Sequence, residues 1–304
     1  MNTHISENAT IYKGRFAPSP TGELHFGSLL AAVSSYLEAK THNGDWIIRM
    51  EDLDQPRTVN GSADSILKTL DTFGFEWDGE VVFQSQRSEL YDDYLQQLIS
   101  EHLIYRCDCS RNKLKESKNF PVYDGFCRNK NNKISPPYAL RCKTPDTKIS
   151  FIDQIQGNYS VDLNQQCGDF IVRRRDQLFA YHLAVVCDDA EQAITDIVRG
   201  ADLLAATPVQ IYLQRQLQLT EPVYSHIPVA MHQQGRKLSK SHQDLAVMHN
   251  SPAAIMTQAL NFLGQSPPVE LAQTDICEFW RWAIKNWNLN KIPATNETIF
   301  CLEQ

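Results

Sequence analysis

The sequence predicts a doubly wound α/β protein with a parallel sheet, interrupted by an inserted module and followed by a small helical region. Three observations carry this prediction. Short apolar runs of strand length alternate with helical patterns over residues 11–103. The rhythm then breaks into polar, basic pieces, and it returns beyond them. Alternating strands and helices imply crossover connections, which make neighbouring strands parallel and place helices on both faces.

The elements follow in order. Ile11 to Phe16 is β-rich and runs into Pro18-Ser19-Pro20-Thr21-Gly22, a cluster of turn formers. Gly27 to His42 places Leu29, Leu30, Val33, Tyr36 and Leu37 at helical spacing. Trp46 to Met50 has strand length and ends in the acidic Glu51-Asp52-Leu53-Asp54. Helical patterns follow at Ser62 to Phe73 and Ser88 to Leu103. From Arg106 to about Gln166 the chain is rich in Lys, Asn and Pro, as expected of an inserted module. The α/β rhythm returns with Leu183 to Cys187, Ile194 to Arg199, a helix over Pro208 to Leu217 and a strand over Val223 to Met231. Pro252 to Leu263 and Asp275 to Trp287 look helical. The expected organisation is residues 1–105 for the first half of the α/β domain, 106–166 for the insert, 167–241 for the second half and 242–304 for the helical region.

An apolar content of 42% with 21% charged residues suits a globular protein of 304 residues. No run approaches the roughly 18 apolar residues of a membrane span. Met1 to Gly14 lacks the apolar middle of a secretory signal, so a cytoplasmic protein that engages no membrane is expected, acting as a monomer. The net charge of -7 argues against a chain wrapped in nucleic acid. The charge is uneven, however: Arg106 to Lys148 holds 11 Lys/Arg against 4 Asp/Glu, a basic island on an acidic body. That island and Arg173-Arg174-Arg175 are candidates for contacts to RNA phosphates.

Two separate segments carry phosphate chemistry. Pro18 to Ser28 stands between a strand and a helix, where unpaired N–H groups and the helix dipole can hold an anion. There His25 is placed to donate to a phosphate oxygen, and Gly27 leaves room for a nucleoside. Gly235-Arg236-Lys237-Leu238-Ser239-Lys240-Ser241 follows a strand, and its two lysines suit a pyrophosphate leaving group, where negative charge develops.

Together the two segments resemble the paired signatures of the class I aminoacyl-tRNA synthetases. The wording Arg15-Phe16-Ala17-Pro18-Ser19-Pro20-Thr21-Gly22 and Lys237-Leu238-Ser239-Lys240-Ser241 is similar to the glutamyl branch. The resemblance covers Gly14 to about Asp244 and implies a Rossmann-like catalytic domain that uses ATP, with Mg²⁺, to activate L-glutamate. It implies His25, Lys237 and Lys240 as catalytic groups, and Gly27, Ser28 and Lys240 as ATP contacts. Ser28 stands where the family's first signature has its second histidine. Arg15, Phe16, Ala17, Pro18, Ser19, Glu51, Tyr181 and Arg199 are implied to line the glutamate pocket. Chemistry agrees, since guanidinium forks bind carboxylates and Glu51 can take the ammonium.

Cys107, Cys109 and Cys127 are the one cluster among eight cysteines and supply three soft ligands suited to a structural tetrahedral zinc. Tyr123, Asp108, Asp124 and Cys142 are all within reach in sequence as a fourth. The resemblance favours Tyr123, because related chains carry Cys-x-Cys followed by Tyr-x-x-x-Cys.

A glutamyl-tRNA synthetase ordinarily continues past its second signature into domains that read the anticodon, whereas this sequence runs about 60 residues beyond Ser241. No anticodon-binding domain is therefore expected. The family includes a short branch that esterifies queuosine in the anticodon loop of tRNA(Asp), and the segment Phe26-Gly27-Ser28 with the Tyr123/Cys127 arrangement looks like that branch. The expected partners are L-glutamate, ATP and tRNA(Asp) bearing queuosine. The alternatives are a minimal synthetase charging a tRNA 3′ end, a different nucleotidyltransferase, and a non-catalytic tRNA-binding paralogue.

Overall fold

The computed structural model describes residues 11–231 and 251–299. Strand β1 (Lys13–Phe16) passes through a loop into helix α1 (Phe26–Thr41), which returns the chain to β2 (Asp45–Met50). Helix α2 (Ser62–Thr72), the short β3 (Val82–Phe83) and α3 (Ser88–Ser100) complete the first half. Strands β1, β2 and β3 pair in parallel in that order, with Arg15 opposite Ile47 and Arg49 opposite Val82.

The inserted segment contains β4 (Ile104–Cys107), the short α4 (Arg111–Lys115), β5 (Ala139–Cys142), the hairpin of β6 (Lys148–Asp153) and β7 (Gly157–Asp162), and α5 (Leu163–Gln166). Strand β8 (Phe170–Arg173) pairs antiparallel with β5, giving a sheet of order β4-β5-β8. The insert's sheet thus takes its last strand from beyond Gln166.

The second half runs through α6 (Tyr181–Glu191), β9 (Asp196–Gly200), α7 (Thr207–Gln216), β10 (Val223–Ile227) and β11 (Val229–Met231). Pro228 has no N–H to give to a ladder, so the single strand expected over Val223 to Met231 divides there. Helices α8 (Pro252–Phe262) and α9 (Ile276–Asn286) precede β12 (Glu297–Ile299), which pairs with β11. Ser251 caps α8 by accepting from Ala254 N, with Pro252 at the first helical position, where its missing N–H costs nothing.

Strands β9 and β10 are parallel, and β6 joins them through Asp153 opposite Tyr224, so the hairpin inside the inserted segment extends the main sheet. Alternating side chains show that both faces of the sheet are covered. Trp46, Ile48 and Met50 of β2 and Val198 of β9 pack with α1, α2, α8 and α9, whereas Ile47 and Ile197 pack with α3, α6 and α7. This is the doubly wound arrangement expected from the alternation.

Strand β1 also lies beside β9: Thr195 N donates to Lys13 O at 3.0 Å, and Lys13 N donates to Thr195 Oγ1 at 2.8 Å. From β1 the chain winds one way through β2 and β3 and the other way through β9 and β10. In open α/β sheets a ligand crevice opens at such a reversal, outside the carboxyl ends of the strands.

Candidate active site

At that reversal lies a cavity of about 450 Å³. Its walls come from the carboxyl ends of four strands: Arg15 and Phe16 of β1, Glu51 after β2, Arg199 and Gly200 of β9, and Ile227 of β10. Ala17, Pro18, Ser19, His25, Gly27, Ser28 and Tyr181 also line it. All of the expected glutamate and nucleotide contacts that fall on described residues therefore share one cavity. Lys237 and Lys240 lie outside the described residues.

His25 is the N-cap of α1. Its Nδ1 accepts from Ser28 N at 3.2 Å, which leaves the proton on Nε2, and Nε2 lies 3.1 Å from Ser28 Oγ. The residue that replaces the second signature histidine is thus bonded to the first, and both face the cavity.

The floor beneath Arg15 is a buried ionic cluster. Arg15 is 4% exposed and its Nε is 3.3 Å from Asp189 Oδ1. The fully buried Arg49 donates from Nη2 to the same oxygen at 2.8 Å and from Nη1 to Gln192 Oε1 at 2.6 Å. Its Nη2 is 3.9 Å from Glu51 Oε1, and its Nε is 3.7 Å from Asp188 Oδ2. Asp188 in turn accepts from Gln84, Arg87 and Tyr91. Burial raises the Glu51 carboxyl to about 7, although Arg49 and Arg15 oppose the rise. Glu51 is thus a poorly hydrated carboxyl whose charge a cationic partner would favour.

Arg199 is held on three sides. Its Nε donates to His226 Nε2 at 3.0 Å, and Nη2 donates to Thr207 Oγ1 at 2.9 Å and Gln210 Oε1 at 2.7 Å. His226 Nδ1 lies 2.6 Å from Asp153 Oδ2, so the neutral ring donates there and accepts from Arg199. Burial pulls His226 down to about 4 despite Asp153. Arg199 Nη1 is buried without a hydrogen-bond partner among the described residues. An unmade bond from a buried cation is costly, and a carboxylate in the cavity would complete it.

Away from this cavity, the Sγ atoms of Cys107, Cys109 and Cys127 lie within 4.8 Å of one another. Zinc–sulfur bonds of about 2.3 Å in a tetrahedron need sulfurs about 3.8 Å apart, which these positions suit. Of the four candidate fourth ligands, Tyr123 Oη is 3.4 Å from Cys107 Sγ and 3.9 Å from Cys109 Sγ, and Asp108 Oδ1 is 3.4 Å from Cys127 Sγ. Asp124 instead accepts from Phe126 N, and Cys142 points to Lys143 O. Arg141 lies over the Tyr123 ring at 3.7 Å and donates to Cys107 Sγ at 3.3 Å, a position that favours the thiolate of Cys107. Gly168 makes this packing possible: a Cβ there would meet Tyr123 O at 1.9 Å.

The arginine triplet has structural partners: Arg173 pairs with Asp92, Arg174 with Asp54 and Asp176, and Arg175 donates to Pro137 O. Sequence reasoning missed Arg49, Asp188, Asp189 and His226, which set the positions of the pocket arginines. One signal was present, two adjacent acids ending the apolar run Leu183 to Cys187.

With this geometry in hand, the comparisons with known proteins agree. Residues 12–268 match the family described as tRNA synthetases class I (E and Q), catalytic domain. The Glutamyl-Q tRNA(Asp) synthetase of Ectopseudomonas mendocina is 47% identical over 288 residues, covering 94% of this chain and 96% of that protein. The protein of the same name from Dechloromonas aromatica is 48% identical, covering 93% and 96%. Among solved structures, the glutamate-tRNA synthetase of Elizabethkingia anophelis is similar with a TM-score of 0.78 and 26% identity, covering 96% of this chain and 68% of that one. The chain belongs to the class I tRNA synthetases of the glutamyl and glutaminyl type, a family of aminoacyl-tRNA ligases.

Proposed function

We propose that this synthetase activates L-glutamate with ATP and transfers it to queuosine in the anticodon loop of tRNA(Asp). The observation that carries the activation half is the single cavity that joins Arg15, Glu51 and Arg199 to the helix start at His25. Two guanidiniums suit two carboxylates, and Glu51 suits an ammonium, which is the charge pattern of an acidic amino acid. The helix start beside them suits the phosphates of ATP, taken as its Mg²⁺ complex. The acceptor half is supported by relatives named Glutamyl-Q tRNA(Asp) synthetase, which match this chain nearly end to end.

In the first step the substrate's α-carboxylate attacks the α-phosphorus, a P–O bond forms, and pyrophosphate leaves. Arg15, Glu51, Tyr181 and Arg199 hold the amino acid so that this carboxylate is aimed at the phosphate, which removes most of the entropic barrier. His25 donates toward the phosphates from its Nε2 side, and Lys237 and Lys240 neutralise the charge that moves onto pyrophosphate. In the second step a hydroxyl of the queuosine cyclopentenediol attacks the activated carbonyl. An ester forms, and AMP leaves as the acyl C–O bond to phosphate breaks. Zinc, held by Cys107, Cys109 and Cys127 with Tyr123 as fourth ligand, would fix the insert's loops and supply no chemistry to either step.

Likeness to the glutamate-tRNA synthetase structure favours one rival reading, esterification of a tRNA 3′ end. Incubation with labelled glutamate, ATP and tRNA(Asp) with or without queuosine separates them. Charging confined to queuosine-bearing tRNA is expected, and charging indifferent to queuosine would refute the acceptor.

A further inference from the structure

A second cavity of about 410 Å³ opens beside the first and shares Ser19, Thr21, Glu51 and Tyr181 with it. Leu53, Leu178 and Phe179 give it apolar walls, and Glu51, Asp54, Arg57 and Arg174 are its ionisable groups. Asp54 is used on one side only. Its Oδ2 accepts from Arg57 Nε at 2.7 Å and Arg174 Nη1 at 3.1 Å, while Oδ1 accepts no hydrogen bond among the described residues. Arg174 also pairs with Asp176 outside the lining, and in the lining itself the two cations Arg57 and Arg174 face the two acids Asp54 and Glu51.

We propose that this second cavity is the acceptor subsite, and that Asp54 Oδ1 binds the cationic amine linking the cyclopentenediol to its deazaguanine base. The inference rests on the acceptor reading above. Queuosine has three parts in line: a diol ring, a secondary ammonium one methylene from the base, and a flat heterocycle. With the diol at the shared residues Ser19 and Glu51, the ammonium comes next along the cavity and the base meets Leu53 and Leu178. A nucleotide with this base brings both a positive amine and a negative phosphate. The balanced quartet can therefore exchange partners without leaving a net charge: Asp54 takes the ammonium, and Arg57, whose side chain is 76% exposed, turns to phosphate. A terminal adenosine carries no such cation, so Asp54 discriminates between the two acceptors by a charge that only one of them can answer.

Asp54→Asn keeps the side chain's shape and removes its charge. Losing one charge-assisted hydrogen bond is expected to lower kcat/KM for queuosine-bearing tRNA(Asp) by about 10- to 100-fold relative to glutamate-dependent pyrophosphate exchange, chiefly through KM for tRNA. Asp54→Glu, which keeps the charge, is expected to recover part of the loss. A ratio of transfer to exchange equal to wild type in D54N would overturn the subsite. So would equal losses of transfer and exchange in both variants, which mark a structural role. Queuosine-independent charging by the wild-type enzyme would overturn the acceptor reading and the subsite together, whereas queuosine-dependent charging with an indifferent D54N overturns the subsite alone.

Discussion

Glu51→Gln is expected to make the unliganded protein more stable at pH 8 and to cripple its use of glutamate. Burial lifts the Glu51 carboxyl from the ordinary 4.5 to about 7. Between those values the folded protein holds a proton that the unfolded chain has released, so the stability this group contributes falls as pH rises through the interval and is level above it. At 1.36 kcal/mol per pH unit the ionised carboxyl costs the folded state about 3 kcal/mol at pH 8. Glutamine keeps the shape and carries no charge. Urea denaturation at pH 8 should therefore find E51Q more stable than wild type by about 2 to 3 kcal/mol, with the difference vanishing near pH 4.5. Glu38 and Asp196 are also raised, and subtracting the variant from wild type removes their contribution.

The functional half has the opposite sign. An arriving ammonium favours the carboxylate, so binding glutamate below pH 7 should release a proton, seen by calorimetry in two buffers of different ionisation enthalpy. In wild type, kcat/KM for glutamate should fall about fivefold from pH 7 to pH 6 if Glu51 must be ionised, and E51Q should lose that limb together with about 100-fold in affinity. A variant less stable than wild type at both pH values, or one that retains the acidic limb, refutes the reasoning.

Four further outcomes are expected. Arg199→Lys keeps the charge but cannot reach His226, Thr207 and Gln210 at once, so KM for glutamate should rise at least about tenfold in pyrophosphate exchange while KM for ATP moves little. Gly168→Ala places a methyl on Tyr123 O and strains a residue at φ +65°, so the insert should lose more than about 1 kcal/mol and its metal content should drop on elemental analysis. Cys109→Ser should lower bound zinc as well, and unaltered metal content would remove Cys109 from the ligand set. Lys240→Ala should reduce pyrophosphate exchange by about 100-fold or more with the circular dichroism spectrum preserved, and an unchanged rate would refute the role given to Lys240.

The alternation of strand and helix was legible in the helical periodicity and in short apolar runs, and Trp46 to Met50 reads as a strand because both of its faces are buried, which leaves a near-continuous apolar run of strand length. Boundaries inside the insert were not. Phe170 to Arg173 has the composition of the second half yet joins β5, and Lys148 to Asp153 lies in the polar insert yet pairs with β10. Strand partners are chosen by packing across long separations, which local pattern does not record. The break at Pro228 was missed as well: one strand was read straight through Val223 to Met231, although the missing N–H of a proline stands in the sequence.

The site divides along the same line. Although Glu51, Tyr181 and Arg199 lie elsewhere, many of the residues proposed to touch a substrate fall in the segments of residues 15–28 and 237–241, where side-chain chemistry and turn formers stand together in sequence. What orients them does not. Arg15 and Asp189 are 174 positions apart, and Arg49 meets Asp189 across 140. Separately, each reads as a charge at the end of a strand or helix. In the fold, one aspartate serves two arginines, one lining the cavity and the other 3.9 Å from Glu51. Such a buried cluster contributes little net stability, because desolvation offsets the attraction. It does remove alternative rotamers from Arg15 and Arg49, and it lowers the carboxyl of Asp189 against the effect of its burial. The arrangement therefore fixes the direction of the guanidinium that lines the cavity at a cost in stability, and the raised carboxyl of Glu51 is the same exchange made in another group that lines it.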